Sequence, residues 1–540
     1  MSFGVLTCTS TIQFMHPIKN HICRLTQSLR ISLMTCWLSG FAPTVIAVGF
    51  EAPAPPEIAF EQYQTEAGVI DYIAALNDVI GSDLAPEENV APSILMEIDP
   101  PGRYSPAFIS QWWQAVGLEE PKQPGQWISW PDFLAAQAIE GEEAIDERTP
   151  YLEADPSATP VWSAIDYPDM ARWLEQVGPA MDRISIALEG DEAWLPMIGE
   201  PGQPVYAVRL PHLLIARHLA RTFQYRIGLA LQEARVDDAI QDFGSIRRLG
   251  LLMDREPLAL GQLVRISIYR LSHGCLEAIC SGRSLNLDQL STLAEIVDQT
   301  AFVRGGMRQA YATGERAVVL SSFDFLLRSD DWDAHFFADD LLSQQAAEEM
   351  LPRLHRAFNH PGFDIDLARE TINNNINDFW EITSSQEFER FQNGSDLYWR
   401  AFNLAKHQST RMIVAGSENA LKPMDAAQRR SYTLSVTYGY LNIVLPTFAE
   451  ARTEWYCLGY ERAARLLVAA LRYEIEHGEL PDQAGQVQGL KTEDPLWPGQ
   501  RLLLLESDSA FKIYSRSING KDDQARDDHR EGDLVISIQR

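Results

Sequence analysis

At 540 residues, 46% of them hydrophobic and 22% charged, the chain has the apolar content for a large packed core and more than one domain. It is not composed as a disordered polymer. Its 75 acidic residues outnumber 45 basic ones, and the formal net charge of −30 excludes the basic footprint that nucleic-acid phosphates demand. The same charge favours solubility and draws divalent cations weakly.

Lys19, Arg24 and Arg30 precede an uncharged stretch from Ile31 to Phe50 that carries Leu33, Trp37, Leu38, Phe41, Val45 and Ile46. A positive segment followed by an apolar one is the arrangement of a secretory leader. Ala47-Val48-Gly49 offers small residues where a signal peptidase reads, so cleavage after Gly49 is one expectation. The apolar run of 20 residues would also span a bilayer as an uncleaved anchor, with Pro43 inside it. Residues 1–49 are therefore expected to be a signal peptide or an N-terminal membrane anchor, with Met15 as an alternative start. Export to the periplasm or cell envelope follows, with membrane contact only through this segment. Leu33-Met34-Thr35-Cys36 lacks the small residue that a lipoprotein site places before its cysteine.

Residues 50–67 form a linker, stiffened by Glu51-Ala52-Pro53-Ala54-Pro55-Pro56. A helical domain is expected over 68–477. The spacing predicts a helix over 68–80, with Val69, Tyr72, Ile73 and Leu76 on one face. Residues 105–210 are punctuated by Pro, Gly and Trp, which predicts short helices in irregular loops and one helix near Asp169–Ala187. Ala216, Leu219, Phe223, Ile227 and Ala230 form one apolar stripe, and Ala239, Phe243, Ile246, Gly250 and Met253 a second. With the polar turn at Glu233–Asp237 between them, they predict a helical hairpin of tetratricopeptide type, present in one convincing copy. A third helix runs through Leu260–Ile279, and another begins at Asn286-Leu287-Asp288, capped by Asn286 or Asp288.

Helical patterning resumes at 338–358 and 364–384, and the longest helix is expected from about Phe448 to Glu476, stopped by Gly478 and Pro481. The period then changes to two. Arg501–Glu506, Phe511–Ser517 and Asp533–Ile538 read as an antiparallel meander, a small β module over 478–540. The predicted class is mainly α, an irregular helical-hairpin bundle closed by this sheet. Cys275 and Cys280 share one helix, rising about 7.5 Å apart on different faces. Three buried free thiols, with Cys457, are expected; a long-range bridge to Cys457 is the alternative.

Familiar catalytic signatures are missing. There is no His-Glu-x-x-His, Gly-x-Ser-x-Gly, P-loop or Cys-x-x-Cys. Nine histidines lie beyond the leader, and the pairs His212/His218 and His355/His360 are off register for two ligands on one helical face. They read as satisfied polar residues. Ser329-Asp330-Asp331-Trp332-Asp333-Ala334-His335 gathers three carboxylates, a Trp and a His, an acid/base or sugar-binding set that equally makes a helix cap with an acidic first turn. Trp112, Trp113, Trp127 and Trp130 suit a carbohydrate or peptide platform, or local packing anchors.

Physically, the C-terminal turn is the best metal candidate. Calcium takes six to eight oxygens, and a tight Asn-Gly turn followed by carboxylates can converge them. Asn519, Asp522, Asp523 and Asp533 are the expected ligands, with Asp527 or Asp528 as substitutes. An EF-hand is excluded, because counting from Ser515 puts Arg526 where a bidentate Glu is required. The competing reading is a solvated hairpin tip whose carboxylates sit near Lys521, Arg526 and Arg530.

Two resemblances accompany this reading. Pro86-Glu87-Glu88-Asn89-Val90-Ala91-Pro92, Ala234-Arg235-Val236-Asp237-Asp238-Ala239, and Arg462–Glu476 running into Gly478-Glu479-Leu480-Pro481 resemble bacterial families of exported all-helical proteins. That likeness implies architecture and carries no activity. Ser515, Asn519 and Gly520 resemble the Ser-x-Gly-x-(Asp/Asn)-Gly turn of type II secretion major pseudopilins, whose small sheet binds calcium. Ser517 replaces the middle glycine, Gln524 and Ala525 stand where glycines are usual, and Gly532-Asp533-Leu534 stands for Asp-Asp-Ile. The prepilin-processing site is absent, so the likeness implies a shared module and not pilus assembly.

The expected function is an exported cell-envelope scaffold or interaction protein with unknown protein partners, no nucleic acid, and a structural calcium ion at the C-terminus. The alternative is an exported hydrolase with a carboxylate site, for which Asp331, Asp333 and Glu348 are the candidates.

Overall fold

The computed structural model describes residues 58–539, excepting 82–83, 85–87, 99–105, 122–124, 138–158, 160, 191, 283–284, 329–353, 399–423, 445–447, 488, 498, 508 and 517–533. The chain is mainly helical, with a three-stranded antiparallel sheet at the C-terminal end of the described residues.

The helices, in chain order, begin with α1 (Tyr72–Gly81), α2 (Ala91–Met96), α3 (Pro106–Ala115), α4 (Trp130–Ala136) and α5 (Pro168–Ala187). The first starts later than its apolar spacing suggests, because Gly68, at φ +75°, closes a turn whose flanks pair at Gln64 and Ile70. The hairpin follows as α6 (Pro211–Gln232) and α7 (Val236–Leu252), then α8 (Ala259–Cys280) and α9 (Leu287–Gln299). Ala234 takes the left-handed conformation between α6 and α7, at φ 58°, and Arg235 N donates back to Ala230 O at 2.8 Å. That closing bond satisfies a carbonyl at the end of α6 and turns the chain within three residues. Asn286 caps α9 with a reciprocal bond from Gln289.

Next come α10 (Gly306–Ala310), a π turn over Tyr311–Glu315, α11 (Arg316–Arg328), α12 (Ile365–Thr383), α13 (Ala426–Val444) and α14 (Phe448–His477). Gly478, at φ +81°, ends α14. The helices at 306–328 and 426–444 carry no periodic signal that marks them. Every residue from Arg316 to Asp324 is buried, so α11 has no polar face to set the period. In α13, Ser, Thr and Tyr occupy buried positions as well as apolar residues.

Strands β1 (Leu503–Glu506), β2 (Ala510–Ser515) and β3 (Leu534–Gln539) pair in the order β1-β2-β3, with Leu503 opposite Tyr514 and Ser515 opposite Leu534. Phe511, Ile513, Ile536 and Ile538 lie in the same core as the second half of α14. The outer edge of β3 is covered by the end of α8: Ser537 N donates to Glu277 Oε1 at 2.7 Å, and Gly282 N to Gln539 O at 2.8 Å. A covered edge removes a template for intermolecular strand pairing.

Two hydrophobic cores result. One gathers α2 to α9, the sheet and Ala463–Ala470 of α14; the other gathers α1, α11, α12, α13 and Ala451–Cys457 of α14. Among the described residues no helix is long and apolar enough to cross a membrane.

Candidate functional site

A strap over residues 192–198 crosses the surface between α1, α2 and the α6–α7 hairpin, held by two asparagines. Asn77 Oδ1 accepts from Met197 N at 2.9 Å, and its Nδ2 donates to Met197 O at 2.9 Å. Asn89 does the same for Trp194, at 3.0 Å in both directions. An amide side chain carries one acceptor and two donors, so it can satisfy a strand residue's N–H and C=O together. Gly81 underlies the Trp194 ring, where a Cβ would lie 2.8 Å from the indole.

Beneath the strap are two adjoining cavities. The larger, about 70 Å³, is walled by Ile94, Leu95, Trp194, Ile215, Leu219 and Leu252. The smaller, about 20 Å³, opens toward Asn77 and Arg255. His212 and Glu256 line both.

Local structure positions this pair. Pro211 starts α6 and places His212 in its first turn, where a proline's missing N–H is no loss. Glu256 follows the 3₁₀ turn Met253–Arg255 at the end of α7. The buried Gln262 fixes that turn by donating to Asp254 O at 3.0 Å and Glu256 O at 2.8 Å. The Glu256 side chain lies over Gly261, where a Cβ would come within 2.6 Å of Oε2. His212 Nε2 is 2.8 Å from Glu256 Oε1, an imidazole–carboxylate contact that joins the start of α6 to the end of α7. Arg255, at the smaller cavity, is occupied by Glu192 at 2.5 Å. The lining offers no hydroxyl, thiol or amine nucleophile.

A second charged cluster lies at the seam between the two cores. Arg247 of α7 makes a bidentate pair with Glu461 of α14, both bonds at 2.7 Å, and its Nε and Nη2 also donate to Thr300. His273 Nε2 lies 3.3 Å from Glu461 Oε2. Burial raises the Glu461 carboxyl, but the Arg247 charge and the bonds from His273 and Arg247 outweigh it and hold the group down at about 2. Burial pushes His273 below its ordinary value against the pull of Glu461. Two turns earlier on α14, Glu454 accepts from Met307 N at 2.8 Å at the start of α10; burial nonetheless raises its carboxyl. Arg304 stacks 4.0 Å over Trp455 and donates to Thr383 O and Ser385 O, and burial lowers it to about 10.

The metal ligands expected from sequence, Asn519, Asp522, Asp523 and Asp533, lie outside the described residues, as do Asp331, Asp333, His335 and Glu348. The strands flanking the turn bring its two ends together, since Ser515 pairs with Leu534. Among the described residues no three His, Cys, Asp or Glu side chains converge on a metal-sized space. Trp112, Trp113, Trp127 and Trp130 are buried and anchor local packing; Trp130 and Trp173 rings lie 5.5 Å apart. Cys275, Cys280 and Cys457 are buried thiols not joined in disulfides, and burial raises the Cys275 thiol to about 12.

Sequence reasoning passed over His212 as an isolated histidine. Glu256 is 44 positions away, and no spacing rule connects them. No family model, curated protein or solved structure matches the chain.

Proposed function

We propose that the protein is an exported helical scaffold of the cell envelope that binds other proteins and carries out no covalent chemistry of its own. The observation that supports this reading is the fate of the buried ionisable groups. Arg247, Glu461, Glu454 and Arg304 are consumed by one another or by backbone groups at the seam between two cores, where they join helices. The leader-like residues 1–49 support export. A calcium ion held by Asn519, Asp522, Asp523 and Asp533 belongs to the same proposal, as a structural clamp on the β2–β3 turn.

The test uses the full chain in cells. A photo-crosslinking residue replacing Ile186, two-thirds exposed on α5, is expected to give one discrete heavier species in the envelope fraction. The purified chain is then assayed on ester, peptide and glycoside substrates beside Glu256→Gln. Turnover that falls about 100-fold or more in that variant, the loss typical of a general acid or base, would replace the scaffold with a hydrolase.

A further inference from the structure

We propose that the cavity under the 192–198 strap is a binding site for a small uncharged hydrocarbon, about the size of one benzene ring, held by apolar contact alone. The inference goes beyond the scaffold reading and does not depend on it. Three observations carry it.

The first is size. A single water needs roughly 10–15 Å³ of such volume, so about 70 Å³ corresponds to roughly five or six ligand atoms. That is one small ring or a short branched alkane, and it is too little for a drug-sized molecule.

The second is the character of the walls. Ile94, Leu95, Ile215, Leu219, Leu252 and the Trp194 ring enclose the space. Among the lining residues His212 and Glu256 alone carry ionisable side chains, and they meet each other at 2.8 Å. The pair is closed on itself, so a ligand lies against it and not between its members. A polar or charged ligand entering here exchanges its water for aliphatic carbon, which is unfavourable. A hydrocarbon gives up little hydration and gains dispersion contacts with every wall.

The third is that the walls are braced. Asn89 holds Trp194 by both its N–H and its C=O, and Asn77 holds Met197 in the same way. Gln262 fixes the turn that carries Glu256. Gly81 lets the Trp194 ring rest on the end of α1, where a Cβ would lie 2.8 Å from the indole. A strap tied at two points and backed by a helix end resists collapse onto α6. Apolar cavities whose walls hold their shape take up small apolar ligands, as an engineered cavity lined by Leu, Ile and Phe takes up benzene.

The experiment uses the full chain with benzene as the probe, and phenol, benzoate and benzylamine as controls of similar size. Calorimetry and thermal unfolding are expected to give benzene binding with a Kd of about 1 mM or tighter, and a rise in Tm that grows with concentration. Phenol is expected to bind about tenfold more weakly, the effect of burying a hydroxyl without a partner, and the two charged analogues not at all. Ala216→Phe, which places a ring in the cavity, is expected to abolish benzene binding. Should that variant not fold, the ¹⁹F signal of fluorotryptophan at Trp194, assigned with Trp194→Phe, decides the matter: it is expected to shift as benzene saturates. The proposal is overturned by any of three results: a Tm or a Trp194 signal that does not respond up to the solubility of benzene; phenol, benzoate or benzylamine binding as tightly as benzene; or binding that survives Ala216→Phe unchanged.

Discussion

Arg247 and Glu461 stand 214 positions apart and are each at most 3% exposed on the side chain. Taking two charges out of water costs several kcal/mol apiece, and their attraction repays this only with near-ideal geometry and every remaining donor satisfied. Here the geometry comes close to that condition. Arg247 gives two N–H groups to Glu461 and two to Thr300, and its guanidinium lies 4.7 Å over the Tyr269 ring. The consequence is asymmetric. Glu461→Gln or Arg247→Met alone should destabilise the chain by about 3–5 kcal/mol, because the surviving partner is left buried and unpaired. Arg247→Met combined with Glu461→Leu should recover most of that loss. Urea unfolding of the three variants checks this; single variants costing under about 1 kcal/mol would mean the pair contributes little. None of it was visible in the sequence, where no spacing rule connects residues 214 positions apart.

Single helices and strands were more legible. The stripes of α6, α7 and α8, the start of α9 at Asn286 and the stop of α14 at Gly478 are local signals, readable from a few neighbouring residues. The helix at 316–328 escaped because its run from Arg316 to Asp324 is buried on all sides. Gly314, in the π turn, approaches Pro257 so closely that a Cβ would come 1.9 Å from its carbonyl oxygen, and Tyr311 stacks on Phe379 with centroids 3.7 Å apart. The sheet was legible from its period of two, but its dependence on α8 and α14 was not. Because Phe511, Ile513, Ile536 and Ile538 pack on helices, the calcium proposal must be tested in the full chain. Millimolar calcium should raise Tm relative to chelator, and Asp533→Ala should remove that gain. A Tm indifferent to calcium in the wild-type chain would reduce the turn to a solvated tip.

Across the whole molecule, the 30-residue α14 acts as a spine about 45 Å long that enters both cores, with Glu461 between its two apolar halves. Opposed pKa shifts in the fold make its stability depend on pH. Asp242 is raised by burial from 3.8 to about 7, against the lowering effect of Arg226. Asp378 is raised to about 6, by burial and then by Glu381. Over roughly pH 4–7 the folded state therefore holds protons the unfolded chain has released, and stability falls as pH rises through that window. Glu461, lowered from 4.5 to about 2, acts oppositely: its contribution is present above pH 4.5 and is lost as pH falls toward 2. Each pH step of one between 3.8 and about 7 is worth about 1.4 kcal/mol for a single carboxyl. Asp242→Asn should therefore flatten the decline toward pH 7 by up to about 4 kcal/mol. Urea titrations of both chains at intervals from pH 4 to 8 measure this, and parallel curves for wild type and variant would refute it.

By itself the sequence determined the helical class, the positions of the amphipathic helices, the closing meander and the buried fate of the three thiols, because periodicity, caps and hydrophobicity act over a turn or two of chain. Tertiary structure alone decided the rest. It set α11 and α13 in the second core, tied the 192–198 strap to Asn77 and Asn89, and brought His212 to Glu256 beneath Trp194. It also joined Arg247 to Glu461. Those arrangements depend on which faces meet when the helices pack. Side chains so far apart in the chain share no local pattern, and only burial makes their pairing matter.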